Sequence, residues 1–360
     1  AQCVQIVAQV GKERLLAITK NPALEGFTLP KILWVKEHEP ENFVKAKSFV
    51  LPKDYVRYVM TGKVQMERSD AAGTLLLDIE QNDWSTEVAE AVGIDITLCP
   101  PLIDATTEVG TLTEAFATAT GLAITTKVYG GGADNACGAV GSGIVATGKS
   151  MVSIGTSGVL LSFEQAPEKD FGGKVHYFNH AVTDAYYTMG VTLSAGHSLS
   201  WFKETFAKDS SFDELLAGTE EIAAGSNGLL FTPYLVGERT PYADSTIRAS
   251  FIGIDTAHTR AHFAKAVLEG ITFSLRDTLE IFRASGKEIQ EIISIGGGAK
   301  NPQWLQMQAD IFNAKIYKLQ NEQGSSIGAC MIALVGSGLV ASFEEAVVKC
   351  VAMGEVFVAI

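Results

Sequence analysis

The sequence is poor in the patterns that disulfide and metal chemistry need. Its five cysteines (Cys3, Cys99, Cys137, Cys330 and Cys350) form no CxxC or zinc spacing, and their apolar neighbourhoods read as buried thiols in a reducing compartment. Histidine is equally sparse, with six in the chain. His176 and His180 lie in a non-helical stretch, and His258 and His262 sit at a helix start without a third ligand, so a zinc site is rejected. Basic residues are outnumbered: 28 Lys and Arg face 41 Asp and Glu, a formal charge of −13. Nucleic-acid binding therefore lacks its electrostatic basis, and an anionic membrane surface would repel the chain.

Long hydrophobic runs are missing too. The most apolar stretch, residues 327–340, is interrupted by Gly336 and Gly338 and is too short to span a bilayer. No basic, small-residue-cleaved leader is legible, and a cytoplasmic protein is expected. There is no GxSxG elbow for a serine nucleophile and no cysteine with an evident histidine partner. Gly148-Lys149-Ser150 lacks the upstream glycine of a Walker A loop.

What is present is ordinary α/β composition: 47% hydrophobic residues, 35 glycines and 10 prolines in 360 residues, enough for two domains. Apolar spacing predicts one helix over 2–16, another over 29–38, and a third opening at Pro52 whose Tyr55, Val56, Tyr58, Val59 and Met60 face inward. Strand-like runs over 151–154 and 159–163 flank Gly155-Thr156-Ser157-Gly158 and read as a β-hairpin. A strand over 185–191 leads to Gly196 and a helix. The longest helical stripe, over 259–284, repeats Phe263, Val267, Ile271, Leu275, Leu279 and Phe282 at spacings of three and four. Then come a strand over 291–295, the glycines 296–298, a helix over 302–312, a strand over 315–319 and a helix over 325–336. A boundary near 148 divides domain 1–148 from domain 149–360.

Three segments carry chemistry. Around residue 134 an apolar run meets Gly130, Gly131 and Gly132, and then Asp134 and Asn135 precede a run of small residues. This is a strand, a tight turn and a close-packed helix start with one acid at the junction, where open α/β sheets bind ligands. Asp134 reads locally either as an N-cap or as a catalytic acid or base. The Gly155–Gly158 turn offers backbone N–H groups and the hydroxyls of Thr156 and Ser157 to a polyphosphate, or is plain turn chemistry. Gly196 before its helix, and Gly297, Gly298 and Asn301 in GGGAKN, allow the same close approach, although Asn301 before Pro302 also reads as a cap.

Taken together the segments resemble a family. Ala249-x-Phe251-x-Gly253-Ile254 and His262-Phe263-x-x-Ala266-Val267-Leu268-Glu269 are similar to the signature of FGGY carbohydrate kinases. GGGADNACGAVG, SIGTSG, LVGERTPY, IGGGAKN, ALEGFTLPKILWVKEHEPENF and LPKDYVRYVMTG resemble, in order and spacing, the family members acting on xylulose. The resemblance covers essentially the whole chain. It implies an actin-like (ribonuclease H-like) two-domain α/β fold with sugar and nucleotide meeting in the interdomain cleft. The nucleotide side falls to 149–360 and the sugar side to 1–148.

The implied reaction is ATP-dependent phosphorylation of the D-xylulose C5 hydroxyl, with Mg²⁺ on the phosphates. Asp134 is implied as general base and Asn135 as its companion on the sugar. Gly155, Thr156, Ser157, Gly196, Ser200, Gly297, Gly298 and Asn301 are implied on the nucleotide. Gluconate, glycerol or ribulose as acceptor, or a non-catalytic sugar- or nucleotide-sensing module, are the alternatives. The family's early Asp-x-Gly-Thr phosphate and metal hairpin is not among residues 1–360. No metal ligand is therefore assigned, and a fragment with an incomplete first-domain sheet, short of the usual C-terminal helix and with little activity alone, is expected. Partners are the small-molecule sugar and ATP, with a homodimer left open.

Overall fold

The computed structural model describes residues 1–167 and 169–360. Its contacts divide the chain into two compact units: Ala1–Thr147 with Phe163–Thr188 and Gln323–Val351, and Gly148–Ser162 with Met189–Glu322 and Ala352–Ile360.

In chain order, the elements that position the sites are α1 (Pro52–Thr61), β1 (Met66–Glu67), α2 (Asp134–Gly141), β2 (Ser150–Ile154), β3 (Gly158–Glu164), β4 (His176–Asn179), β5 (Tyr186–Thr192), α3 (Gly196–Phe206), α4 (Phe212–Leu216), α5 (Arg260–Ala284), β6 (Glu291–Gly296), α6 (Pro302–Phe312), β7 (Lys315–Leu319), α7 (Gly324–Gly336) and β8 (Met353–Phe357). A seven-stranded sheet runs in the order β8-β7-β6-β2-β3-β5-β4. Within it β6 pairs parallel to both β2 and β7, while β2 and β3 form the antiparallel hairpin that the glycine turn predicts.

The second unit is organised by α5. Val267, Ile271, Leu275, Leu279 and Phe282 are fully buried along one stripe, as the three-and-four spacing requires. Gly270 on the same helix lies so close to its neighbour that a Cβ would stand 2.2 Å from the Phe231 carbonyl oxygen. Polar burial is matched as well: Glu269 accepts from Gly225 N–H at 2.9 Å and from the Ser226 hydroxyl at 2.8 Å.

In the first unit, the small-residue run after Asp134 is explained by its neighbour. Helix α2 crosses α7 at backbone contact. A Cβ on Gly328 would lie 1.8 Å from Cys137 O, and one on Gly141 would lie 2.6 Å from Gly324 O. Only glycine permits that approach, and α2 is held buried over 136–141 as a result.

Three expectations are corrected. The helix over 2–16 is two helices, Gln2–Val10 and Lys12–Thr19, because Gly11 takes a positive φ of 88° and breaks the hydrogen-bond ladder between them. Helix α1 is turned the other way from its apolar pattern. Tyr55, Val56, Tyr58 and Val59 are exposed and Met60 is half-buried, whereas Asp54 (0% exposed) and Arg57 (3%) face inward. The buried pair is stable there because its charges are mutually compensated and Arg57 also serves two backbone carbonyls. Among the cysteines, Cys137 is buried, but Cys3, Cys99 and Cys350 are half-buried and Cys330 is exposed, lying off the α7 face that Gly328, Met331 and Ile332 bury.

Candidate functional site

The loop 130–134 ends the strand Lys127–Tyr129 and starts α2. Asp134 is the first helical residue rather than the cap: the N-cap position belongs to Ala133, which supplies no side-chain bond. The Asp134 carboxylate is exposed. Its Oδ1 accepts from the Asn135 backbone N–H at 2.7 Å and from Asn135 Nδ2 at 3.1 Å. Oδ2 has no hydrogen bond among the described residues and is open to a ligand. Asn135 therefore orients the acid.

Beneath this loop lies a cluster of charges. Lys53 Nζ stands 3.3–3.4 Å from Asp54, Glu67 and Asp70 carboxylate oxygens, and Arg57 pairs with Asp54 at 2.9 Å. Two cations serve three carboxylates in a largely buried setting. Burial pushes the Asp70 carboxyl up to about 6, against the pull of Lys53. Burial opposes the charge of Lys53, but Glu67, Asp70 and Asp54 hold its ammonium above the usual range. The Tyr187 phenol is driven well above its ordinary value by burial and then by the charges of Asp134, Asp70 and Glu67. Burial likewise pushes the Cys137 thiol up to about 12, which makes it an inert packing group and not a nucleophile.

The second unit carries a cavity of about 480 Å³. The hairpin turn contributes Ile154, Gly155 and Thr156; α3 contributes Gly196, Leu199 and Ser200; α4 contributes Phe212, Asp213 and Leu216. Gly297, Gly298, Lys300, Asn301, Pro302 and Trp304 complete it. The exposed turn 155–157 is held by backbone bonds: Gly196 N–H donates to Gly155 O at 2.8 Å and His197 N–H to Thr156 O at 3.0 Å. A Cβ on Gly196 would stand 2.4 Å from Gly155 O, so glycine is needed to let α3 start against the turn. Gly298 packs on Ile154, whose Cβ would be 2.7 Å from an added methyl. Asn301 Oδ1 accepts from Trp304 N–H at 3.0 Å and caps α6, with Pro302 at its first position.

The structure thus gathers Gly155, Thr156, Gly196, Ser200, Gly297, Gly298 and Asn301 around one cavity, with Ser157 in the same exposed turn. Asp134 and Asn135 sit together on the other unit. Sequence reasoning missed Phe212, Leu216, Lys300 and Trp304 in the cavity. Phe212 is an exposed aromatic, 45% accessible, on a five-residue helix, a feature no periodicity announces. The histidine pairs have other duties. His262 Nδ1 takes the Thr259 N–H at 3.2 Å and its Nε2 meets Asn227, while His258 Nδ1 takes the Asp255 N–H.

A cavity floored by glycine turns and a separate loop-borne acid are common to many folds, so the comparisons decide between them. The model of the FGGY family of carbohydrate kinases, N-terminal domain, matches residues 1–141, and that of the C-terminal domain matches residues 150–337. The chain belongs to the FGGY family of carbohydrate kinases. It is 59% identical over 344 residues to the xylulose kinase of Bacillus subtilis, an overlap of 96% of this chain and 69% of that protein. The crystal structure of a xyloylose kinase from Brucella ovis superposes with a TM-score of 0.91 at 32% identity, covering 100% of this chain and 74% of the other. A gluconate kinase from Lactobacillus acidophilus gives 0.94 at 25% identity, covering 99% and 73%. The fold is accordingly the actin-like two-domain fold of FGGY kinases, and the protein is a carbohydrate kinase that takes ATP as the phosphoryl donor. Among the described residues no helix is long and apolar enough to cross a membrane.

Proposed function

We propose that this FGGY kinase transfers the ATP γ-phosphoryl group to the C5 hydroxyl of D-xylulose, giving xylulose 5-phosphate, in the cytoplasm. The observation that carries the substrate is the 59% identity to a xylulose kinase over 96% of the chain. Asp134 is the general base. Its open Oδ2 takes the hydroxyl proton as oxygen attacks phosphorus and the bond to the ADP oxygen breaks, while Oδ1 stays tied to Asn135. Asn135 Nδ2 keeps a second donor for the sugar.

ATP occupies the 480 Å³ cavity. The amides of the turn 155–157 and the Thr156 hydroxyl hold its phosphates, and Gly297, Gly298 and Asn301 border the nucleoside together with Leu199, Ser200 and Phe212. Lys300 adds a cation at the same rim. Mg²⁺ enters as part of the nucleotide. Bound there, its charge would offset that of the phosphates.

An ADP-release assay on the complete gene product tests the substrate. Across ketopentoses, polyols and gluconate, D-xylulose is expected to give the highest kcat/KM, by on the order of tenfold or more, the scale one well-made polar contact sets. The competing acceptor is gluconate, although a xylulose kinase structure superposes as well as the gluconate kinase does, at 0.94. A gluconate or glycerol optimum would reject the substrate while leaving the kinase chemistry in place.

A further inference from the structure

The loop that presents Asp134 is tied down at successive backbone groups, and two of the ties come from the buried charge cluster. Arg57 Nη1 donates to Gly130 O at 2.7 Å, and Ala133 N–H donates to Ser69 Oγ at 2.8 Å. Beyond Asp134, Ser325 Oγ donates to its carbonyl at 2.6 Å. Gly130 and Gly131 N–H groups are taken by Thr107 O and Ala105 O at 2.9 and 3.0 Å. The Gly132–Ala133 peptide, one step before the acid, is held at both ends: its N–H by Ser69 Oγ and its carbonyl by the Cys137 thiol at 3.4 Å.

The orientation of that grip is set electrostatically. A serine hydroxyl has one proton, and Ser69 gives it to Glu67 Oε2 at 2.6 Å. Its lone pairs are then directed at the Ala133 N–H. Glu67 is itself fixed, with Oε1 accepting Ser69 N–H at 2.9 Å and Lys53 Nζ 3.3 Å from Oε2. Ser69 and Glu67 are 2% and 1% exposed, so water cannot replace either bond. The Lys53 stem runs under the loop, 3.7 Å from where a Gly131 Cβ would be.

We infer that the Lys53–Glu67–Ser69 chain is a positioning device for catalysis, which fixes the Asp134 carboxylate against its substrate through the Ala133 peptide. This rests on Asp134 being the base. It goes further in assigning a kinetic role to residues that touch neither substrate nor nucleotide. A base must be held within about 0.5 Å of its productive place, and a shift of about 1 Å can cost ~10²-fold in rate. The partial loss on releasing one tie of several is correspondingly smaller.

Four proteins decide it: Ser69→Ala, Ser69→Thr, Asp134→Asn, and the Ser69→Ala/Asp134→Asn pair, each with kcat, KM for ATP and melting temperature. Ser69→Ala is expected to lower kcat about tenfold with KM for ATP unchanged, because every residue lining the nucleotide cavity belongs to the other unit. Ser69→Thr keeps the hydroxyl and restores most of the rate. In the Asp134→Asn background, Ser69→Ala should cost nothing further, since there is no base left to aim. Wild-type kcat in Ser69→Ala, an undiminished loss in the double variant, equal losses in the Ala and Thr variants, or a rate loss matched by the fraction unfolded would each overturn the inference. Retained turnover in Asp134→Asn alone would instead remove the base on which it rests, so the two failures are distinguishable.

Discussion

Asp134→Asn is expected to lose turnover by a factor of roughly 10²–10⁴ while its affinity for ADP stays as in the unaltered protein. The amide is nearly isosteric with the carboxylate. Its carbonyl oxygen still accepts the Asn135 N–H that Oδ1 now takes at 2.7 Å, so the start of α2 is preserved. What disappears is the ability to accept a proton from the attacking hydroxyl. A hundredfold loss corresponds to about 2.7 kcal/mol of transition-state stabilisation. Nucleotide binding is spared because every residue that lines the cavity falls in the second unit, whereas Asp134 lies in the first. Steady-state rates with calorimetric titration of ADP separate the two effects. Near-normal turnover would reduce Asp134 to an acid in the first turn of a helix, worth only ~0.3–1 kcal/mol to stability.

The second large effect is on folding. Gly328→Ala places a methyl 1.8 Å from Cys137 O and within 3.0 Å of Gly141 N, where neither partner is a side chain that can swing away. Helices α2 and α7 must part, opening the core around Ala136, Ala139 and Val140. The expected cost is about 3 kcal/mol or more, at the upper end of overpacking, or a melting temperature lower by roughly 6–12 °C for a unit of this size. Gly26→Ala is the control, since nothing lies within 4 Å of its added Cβ. Unchanged melting of the Gly328 variant would mean that the helices are not seated at backbone contact, and the explanation of the small-residue run would fail with it.

Much of this organisation is legible in the chain. The stripe over 259–284 becomes one 25-residue helix, and the strand–glycine–helix order around residues 291–312 is found as written. Those segments obey local rules: a helical period, a turn flanked by β-prone residues, a cap followed by proline. The α1 surface breaks them. Asp54 and Arg57, three apart among tyrosines and valines, look like a solvated stripe on a helix with an apolar face. They are buried because Arg57 reaches Gly130 O and Gln65 O, 73 and 8 residues away in the chain. Period alone cannot weigh a charge network against apolar area.

The site follows the same division. Asp134 stands out as a lone acid after three glycines, and the glycines of the second unit's cavity mark their own turns. The purpose of the small residues in GADNACGAVG does not show locally, because the helix they accommodate comes 190 residues later, where Ser325 bonds Asp134 O across a separation of 191. Ser69 is hidden for a related reason. In ERSDAAG it reads as a helix-start residue, and Glu67 does accept the Ser69 and Asp70 N–H groups in that role. Its hold on Ala133 depends on a fold that brings residues 64 positions apart into contact.

At the centre of the proposed reaction a sugar hydroxyl, deprotonated at Asp134, attacks the ATP γ-phosphorus. The most direct measurement is ³¹P NMR of the product formed from ATP and D-xylulose. The prediction is a single sugar monophosphate whose phosphorus couples to the two C5 methylene protons, formed by the unaltered protein and not, on the same time scale, by Asp134→Asn. Phosphate on another oxygen, inorganic phosphate with no sugar ester, or equal product from both proteins would contradict it.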